Sequence, residues 1–304
     1  MLRFFSLLIG AGLGLLPSFA CDMTSEARSD HLPAYVENAE ICLTEPPVQF
    51  RFDPLMEELF FNRINAERAE EGLARLKIRA SLQPAARFHS LDLGANQFFD
   101  HNGPDGRTSG DRVAAFDRTL LAQKTGENIA QFGPARCYDE TNQEVSCLIA
   151  PGFKVPKPAF VVDDLHVKLM ASEGHRANIL SPDFTHVAIG VVREETGFYV
   201  TQVFAQPQGE LQTPLPLTYL GDEKLELDIR IDDKDVSELA VLDADGERLT
   251  LEGDRLNALS PGVKTLIVRG EKTSEEKNGL RTMTITEWLD LFGPAFVVAP
   301  PTES

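Results

Sequence analysis

Six histidines occur in the 304 residues, and five of them (His89, His101, His166, His175 and His186) fall between residues 50 and 208. Three segments concentrate the residue types that do chemistry: FFDHNGPDGRTSGDRV (98–113), GENIA (126–130) and ASEGHRANILSPDFTHVAIGV (171–191). Each sets a histidine or glutamate beside a glycine or turn, where the backbone lets a side chain point into a cleft. Imidazoles and carboxylates together ligate divalent ions. A glutamate held against a histidine instead raises the imidazole pKa and makes an acid/base pair. The chain has no Gly-x-Ser-x-Gly elbow, no His-Glu-x-x-His and no phosphate- or dinucleotide-binding glycine loop, so no motif supplies a nucleophile.

The elements that must position these segments are legible from caps and periodicity. Asp53-Pro54 predicts a helix start, with Leu55, Met56, Leu59, Phe60 and Ile64 as its apolar stripe and Gly72 as its end. Ser81 reads as the cap of a second helix carrying Ala85, Phe88, Leu91 and Leu93, in which His89 is a packed or partly exposed residue. Gly103-Pro104-Asp105-Gly106 is a turn, and Ser109 opens a short third helix. At its head Asp111 suits the positive helix end, and Arg112 suits pairing with a nearby acid. A fourth helix runs over 163–171 with His166 on its surface. Segments 187–192 and 198–204 form a hairpin, with His186 at its edge. Asn178 reads as a loop-fastening amide and Phe98-Phe99 as core beneath a cleft. Helices first and an antiparallel hairpin last predict an α+β domain.

Outside this region the chain changes character. Arg3, the apolar run 4–16 and Ser18-Phe19-Ala20 predict a signal peptide over 1–20, hence export to a secreted or periplasmic location with no later membrane span. Residues 21–48 read as an extended N-terminal arm. Four cysteines in an exported chain predict two disulfides, with Cys21–Cys42 and Cys137–Cys147 as the sequence-neighbour pairing, because no spacing suits zinc. Lipid anchoring through Cys21 is disfavoured by Ser18 and bulky Phe19 before it. Beyond Pro214 period-two alternation over 225–231, a hairpin around Asp245-Gly246 and a strand over 264–268 predict a small β-rich C-terminal domain, 211–304.

The formal net charge is −18, and 10 basic against 19 acidic residues beyond Pro214 place half of that surplus in the tail. Such a balance excludes phosphate-backbone recognition, which needs a basic face.

The three segments, in this order and after NRINAERAEEGLARL (62–76), resemble a bacterial member of the CAP superfamily, which contains cysteine-rich secretory, antigen 5 and pathogenesis-related proteins and whose domain is also called SCP. The resemblance covers about residues 54–206, within a domain bounded at 49–210. It implies an α-β-α sandwich with a surface cleft lined by two histidines and acidic residues. His101 of FFDH and His175 of GHRANIL match the two cleft histidines, and Glu127 of GEN matches a cleft acid. Glu173 takes the second acidic position or is simply a loop residue. The implied set makes His101 and His175 candidate ligands for zinc or another divalent ion. One departure is the long segment 133–160, an insertion after Glu127 that either walls the cleft or is bland. The implied function is an extracytoplasmic binding or interaction module for a lipid, sterol or cell-envelope component. The alternative is a metal-dependent hydrolase of peptide or envelope substrates that uses the same cleft.

Overall fold

The computed structural model describes residues 20–24, 31–133, 137–141, 143–146, 154, 156–220, 224–251, 256, 259–278 and 281–300. Residues 1–19 of the expected signal peptide and Cys147 of the expected second disulfide lie outside these. In chain order the elements are α1 (Leu32–Thr44), β1 (Arg51–Phe52), α2 (Pro54–Glu70), β2 (Lys77–Ile78), α3 (Gln83–Ala95), α4 (Ser109–Phe116), β3 (Leu120–Phe132), β4 (Cys137–Tyr138), β5 (Glu144–Val145), α5 (Pro158–Ala171), α6 (Glu173–Ile179), β6 (His186–Arg193), β7 (Phe198–Leu211), β8 (Thr218–Leu220), β9 (Ile229–Ile231), β10 (Asp235–Leu242), β11 (Arg248–Thr250), β12 (Gly262–Asn278) and β13 (Arg281–Ala299).

The order β1-β6-β7-β3-β13-β12-β10-β11 forms one sheet, antiparallel along this path. Strand β6 shows why it needs two helical layers. Val187, Ile189 and Val191 point to one side, against Met56, Phe60 and Ile64 of α2 and Val161 and Leu165 of α5. Their alternates Ala188 and Val192 point to the other side, towards α1, α3 and α4. Both faces of the strand are thus buried, and an α-β-α sandwich is the layer solution. Gly190 lets α3 approach closely, since a Cβ there would lie 2.4 Å from the Ala86 carbonyl carbon and oxygen.

Several expectations hold in detail. Asp53 accepts from Met56 N at 3.1 Å as the cap of α2, and Gly72 follows the helix with a φ of +72°. Thr108 and Asp111 form a reciprocal capping box at the head of α4.

Others are corrected. Residues 32–44 form α1 rather than an extended arm: Leu32, Tyr35, Val36, Ala39 and Cys42 share its buried face, and Cys21 bridges to Cys42. Ser81 is no helix cap; it lies in a 3-10 turn and donates to Asp117 Oδ2 at 2.7 Å, so α3 starts without a side-chain cap. Only 229–231 of the alternating 225–231 run pairs as a strand, against β7. His166 is fully buried between α2 and α5, 3.2 Å from Glu67, not on the surface. Phe98 packs partly inside, but Phe99 is 52% exposed.

The C-terminal strands continue the central sheet. Phe292 of β13 pairs with Ala122 of β3, and Leu121 joins the second core made by Leu266, Leu291 and Phe296. Arg118 fastens the two halves by donating to the carbonyls of Leu215, Pro216 and Ala295 at 2.9, 2.9 and 2.6 Å.

Candidate functional site

Glu127 lies midway along β3, on the side of the sheet covered by α3 and α4. Its neighbours Gly126 and Asn128 face the opposite layer: a Cβ on Gly126 would lie 2.9 Å from Asn178 and Phe184, and Asn128 donates to the His175 carbonyl at 3.1 Å. The Glu127 side chain is only 2% exposed, and two donors hold it. Arg112, on α4, donates from Nη2 to Oε2 at 2.7 Å, and His101 Nδ1 donates to Oε1 at 2.9 Å. Arg112 also donates to the carbonyls of Arg107 and His101, at 2.9 and 2.8 Å, which ties the 101–107 turn to the carboxylate. Burial alone would raise the Glu127 carboxyl, but the bond from His101 and the Arg112 charge outweigh it and hold the group below the usual carboxylate range.

A third imidazole stands behind the pair. His89 of α3 is fully buried, with Nε2 3.7 Å from Glu127 Oε1 and 3.1 Å from the Asp100 carbonyl. A carbonyl only accepts, so Nε2 carries the proton, and Nδ1 is buried without a hydrogen-bond partner among the described residues. Desolvation, helped by the Arg112 charge, pushes His89 down to about 4 and keeps it neutral. The sequence placed His89 as a helix residue; its membership of the cluster comes from α3 crossing under the 98–101 turn.

The mouth of the cluster is a pair of imidazoles. His101 and His175 have ring centroids 6.4 Å apart, and the His101 side chain is 50% exposed. The hydrogen bond to Glu127 raises the His101 pKa, whereas burial and the nearby His101 lower that of His175. The two rings thus sit in unlike electrostatic environments at the cleft mouth. Asn178 fastens α6 to β3 by donating to the Glu127 carbonyl at 3.1 Å and to Asn128 Oδ1 at 2.9 Å, the fastening role its position predicts.

The remaining expected residues fall elsewhere. Glu173 is the exposed first residue of α6, and among the described residues it is no partner of His101, Glu127 or His175. His186 opens β6, with Nδ1 2.9 Å from Thr185 Oγ1. Both Glu127 oxygens are committed to protein donors, and no three His, Cys, Asp or Glu side chains among the described residues gather into a metal-holding group. The donor set is therefore an imidazole pair rather than a three-ligand zinc site, and no metal-dependent step follows from it.

The profile of the Cysteine-rich secretory protein family, CAP, matches residues 61–204, the span that contains every member of this cluster. The chain carries a CAP domain. The uncharacterized protein YkwD of Bacillus subtilis (strain 168) is 32% identical over 186 residues, covering 61% of this chain and 58% of its own length, so the chain spans under two thirds of that relative. An extracellular SCP-domain protein from Bacillus anthracis str. Ames is 25% identical over 51% of this chain and 41% of its own, with a TM-score of 0.38. An outer surface protein from Borrelia burgdorferi is 14% identical over 52% of this chain and 98% of its own, also with a TM-score of 0.38. The CAP match stops at Phe204, so half of β7 lies inside it and β8–β13 lie outside it. The described part of the insertion, the β4–β5 pair, meets the β6–β7 turn where Ser146 donates to Glu195 at 3.3 Å.

Proposed function

We propose that this protein is an exported, extracytoplasmic binding module whose CAP cleft recognises a polar group on a lipid, sterol or other cell-envelope component. The observation that carries this reading is the commitment of Glu127. A carboxylate whose two oxygens are held by Arg112 and His101 is a fixed orienting group, not a free base waiting for substrate. With its Nδ1–H spent on Glu127, the neutral His101 ring leaves Nε2 to accept beside His175, and that pair suits a ligand headgroup offering hydroxyls. Among the described residues no helix is long and apolar enough to cross a membrane.

The test uses mature protein and a His101→Ala/His175→Ala double variant, sedimented with vesicles of phosphatidylglycerol and phosphatidylethanolamine, with and without sterol. Retention of the wild type and loss by the variant is expected. Equal retention of the two, or none by either, would remove the cleft from binding. Turnover of a peptide library that Glu127→Gln abolishes would replace the binding reading with the hydrolase one. Calorimetric titration with zinc measures the metal alternative directly: binding lost in the double variant would restore it.

A further inference from the structure

The C-terminal sheet has two unlike faces. One buries Leu266, Val268 and Leu291 in its own core. On the other, β13 presents Trp288, Asp290 and Phe292, the alternate residues of one strand. Trp288 is the only tryptophan of the chain and is 67% exposed; Phe292 is 48% exposed. At roughly 3.3 Å per residue the two rings stand about 13 Å apart along the strand.

Between them lies a rigid polar patch. Arg269 donates to both oxygens of Asp290 at 2.8 Å, and Arg248 bridges Asp290 and Glu238 at 2.8 and 2.5 Å. Two guanidinium groups against two carboxylates make it neutral, and each side chain keeps about a third of its surface in solvent. The Trp288 indole N–H donates to Glu271 at 3.4 Å. Beyond it Thr286, Thr284 and Thr282 continue the same face as a row of hydroxyls, with Thr273 opposite Thr286. At the other end Phe292 forms one wall of a cavity of ≈ 420 Å³ against Val113 and Ala114 of α4.

We propose that this face binds a linear, uncharged, β-linked polysaccharide lying along β13. The flat C–H face of a hexose is apolar and weakly positive and stacks on an aromatic π face, while its hydroxyls need fixed donors and acceptors at the rim. Two exposed rings flanking planar charged groups and a hydroxyl row supply both. A nucleic acid, which also stacks on aromatics, is excluded by the absence of excess positive charge. The neutral patch offers no excess positive charge to an anionic lipid surface. None of β10–β13 falls within the CAP match, so the inference is independent of the cleft reading.

The single tryptophan makes the test direct. Emission of the mature protein is followed during titration with cellohexaose, chitohexaose and the α-linked maltohexaose, and mobility is measured in gels containing hydroxyethylcellulose or glycol chitin. A saturable emission change with a β-linked hexaose, absent with maltohexaose, is expected. Gel retardation should weaken by about tenfold or more in Trp288→Ala, the scale of losing one stacking platform, and partly recover in Trp288→Phe. It should persist in His101→Ala/His175→Ala. No emission change with any β-linked hexaose overturns the proposal, as does retardation that Trp288→Ala leaves intact. A dimer in size-exclusion chromatography that Trp288→Ala dissociates, without any sugar response, would assign the face to self-association and overturn it equally.

Discussion

Arg112 and Glu127 meet at 2.7 Å with side chains 3% and 2% exposed, so a complete ion pair is buried beneath the cleft. Neither charge can regain water if the other is removed. Replacing Arg112 with Met should therefore destabilise the protein by about 3–5 kcal/mol, the cost of leaving one buried charge unpaired. Urea unfolding followed by circular dichroism measures this. His101→Ala, which removes a half-exposed partner that water can replace, should cost about 1 kcal/mol. Equal losses for the two would contradict the division between a buried strut and an open rim.

His89 sets a pH dependence. Its folded pKa, about 4, lies below the 6.5 of an unfolded histidine, so the unfolded chain takes up the proton first. Stability is present above pH 6.5 and falls as pH drops towards 4, by up to about 3 kcal/mol. The raised pKa of His101 has the opposite sign and is softened by its exposure. Depression of Glu127 acts in the same direction as His89, but below the usual carboxylate range. The loss in unfolding free energy between pH 7 and 5 should consequently be smaller in His89→Gln than in the wild type. Parallel pH profiles would show that His89 does not titrate as its surroundings require.

Gly190→Ala should be among the most damaging small substitutions. The added methyl would meet the Ala86 carbonyl and the Arg87 amide nitrogen at 2.4–2.5 Å, and backbone cannot rotate away as a side chain can. A loss of about 2–3 kcal/mol is expected in thermal or urea unfolding. Gly174→Ala, where nothing lies within 4 Å of the added carbon, should be close to neutral.

Opening the Cys21–Cys42 bridge, by Cys42→Ser, should cost about 2–4 kcal/mol by freeing a loop of sequence separation 21. The effect should appear as a lower urea midpoint and as earlier proteolysis before α1. Mass spectrometry of the mature N-terminus checks the chemistry at the same position, since a Cys21 thiol carrying lipid is not available to Cys42.

Local features of this protein were readable wherever a short-range rule sets them. The Asp53 cap, the Gly72 stop, the β6–β7 hairpin and the turn at 103–106 each depend on residues within a few positions of one another. Sequence failed where a long-range contact overrides the local signal. Polar flanks disguised α1, whose five buried residues make sense only with α3 beneath them. Ser81 has the composition of a cap, but Asp117, 36 residues away, takes its hydroxyl. The long strand β13 carries a weak pattern because one of its faces is apolar core and the other is the Trp288 and threonine row.

The same distinction runs through the site. The residue types and their order, together with the resemblance they carry, pointed to His101, Glu127 and His175, and the sequence holds no Gly-x-Ser-x-Gly elbow or phosphate-binding glycine loop. Only the tertiary structure decided what Glu127 does. Its two oxygens go to Arg112, 15 residues earlier, and His101, 26 residues earlier, while His89 arrives from a third element. Donors and acceptors carry no record in sequence of which partner they will find. In a buried site the cost of an unpaired charge makes that partner, rather than the residue type, decide whether a carboxylate is a base or a strut.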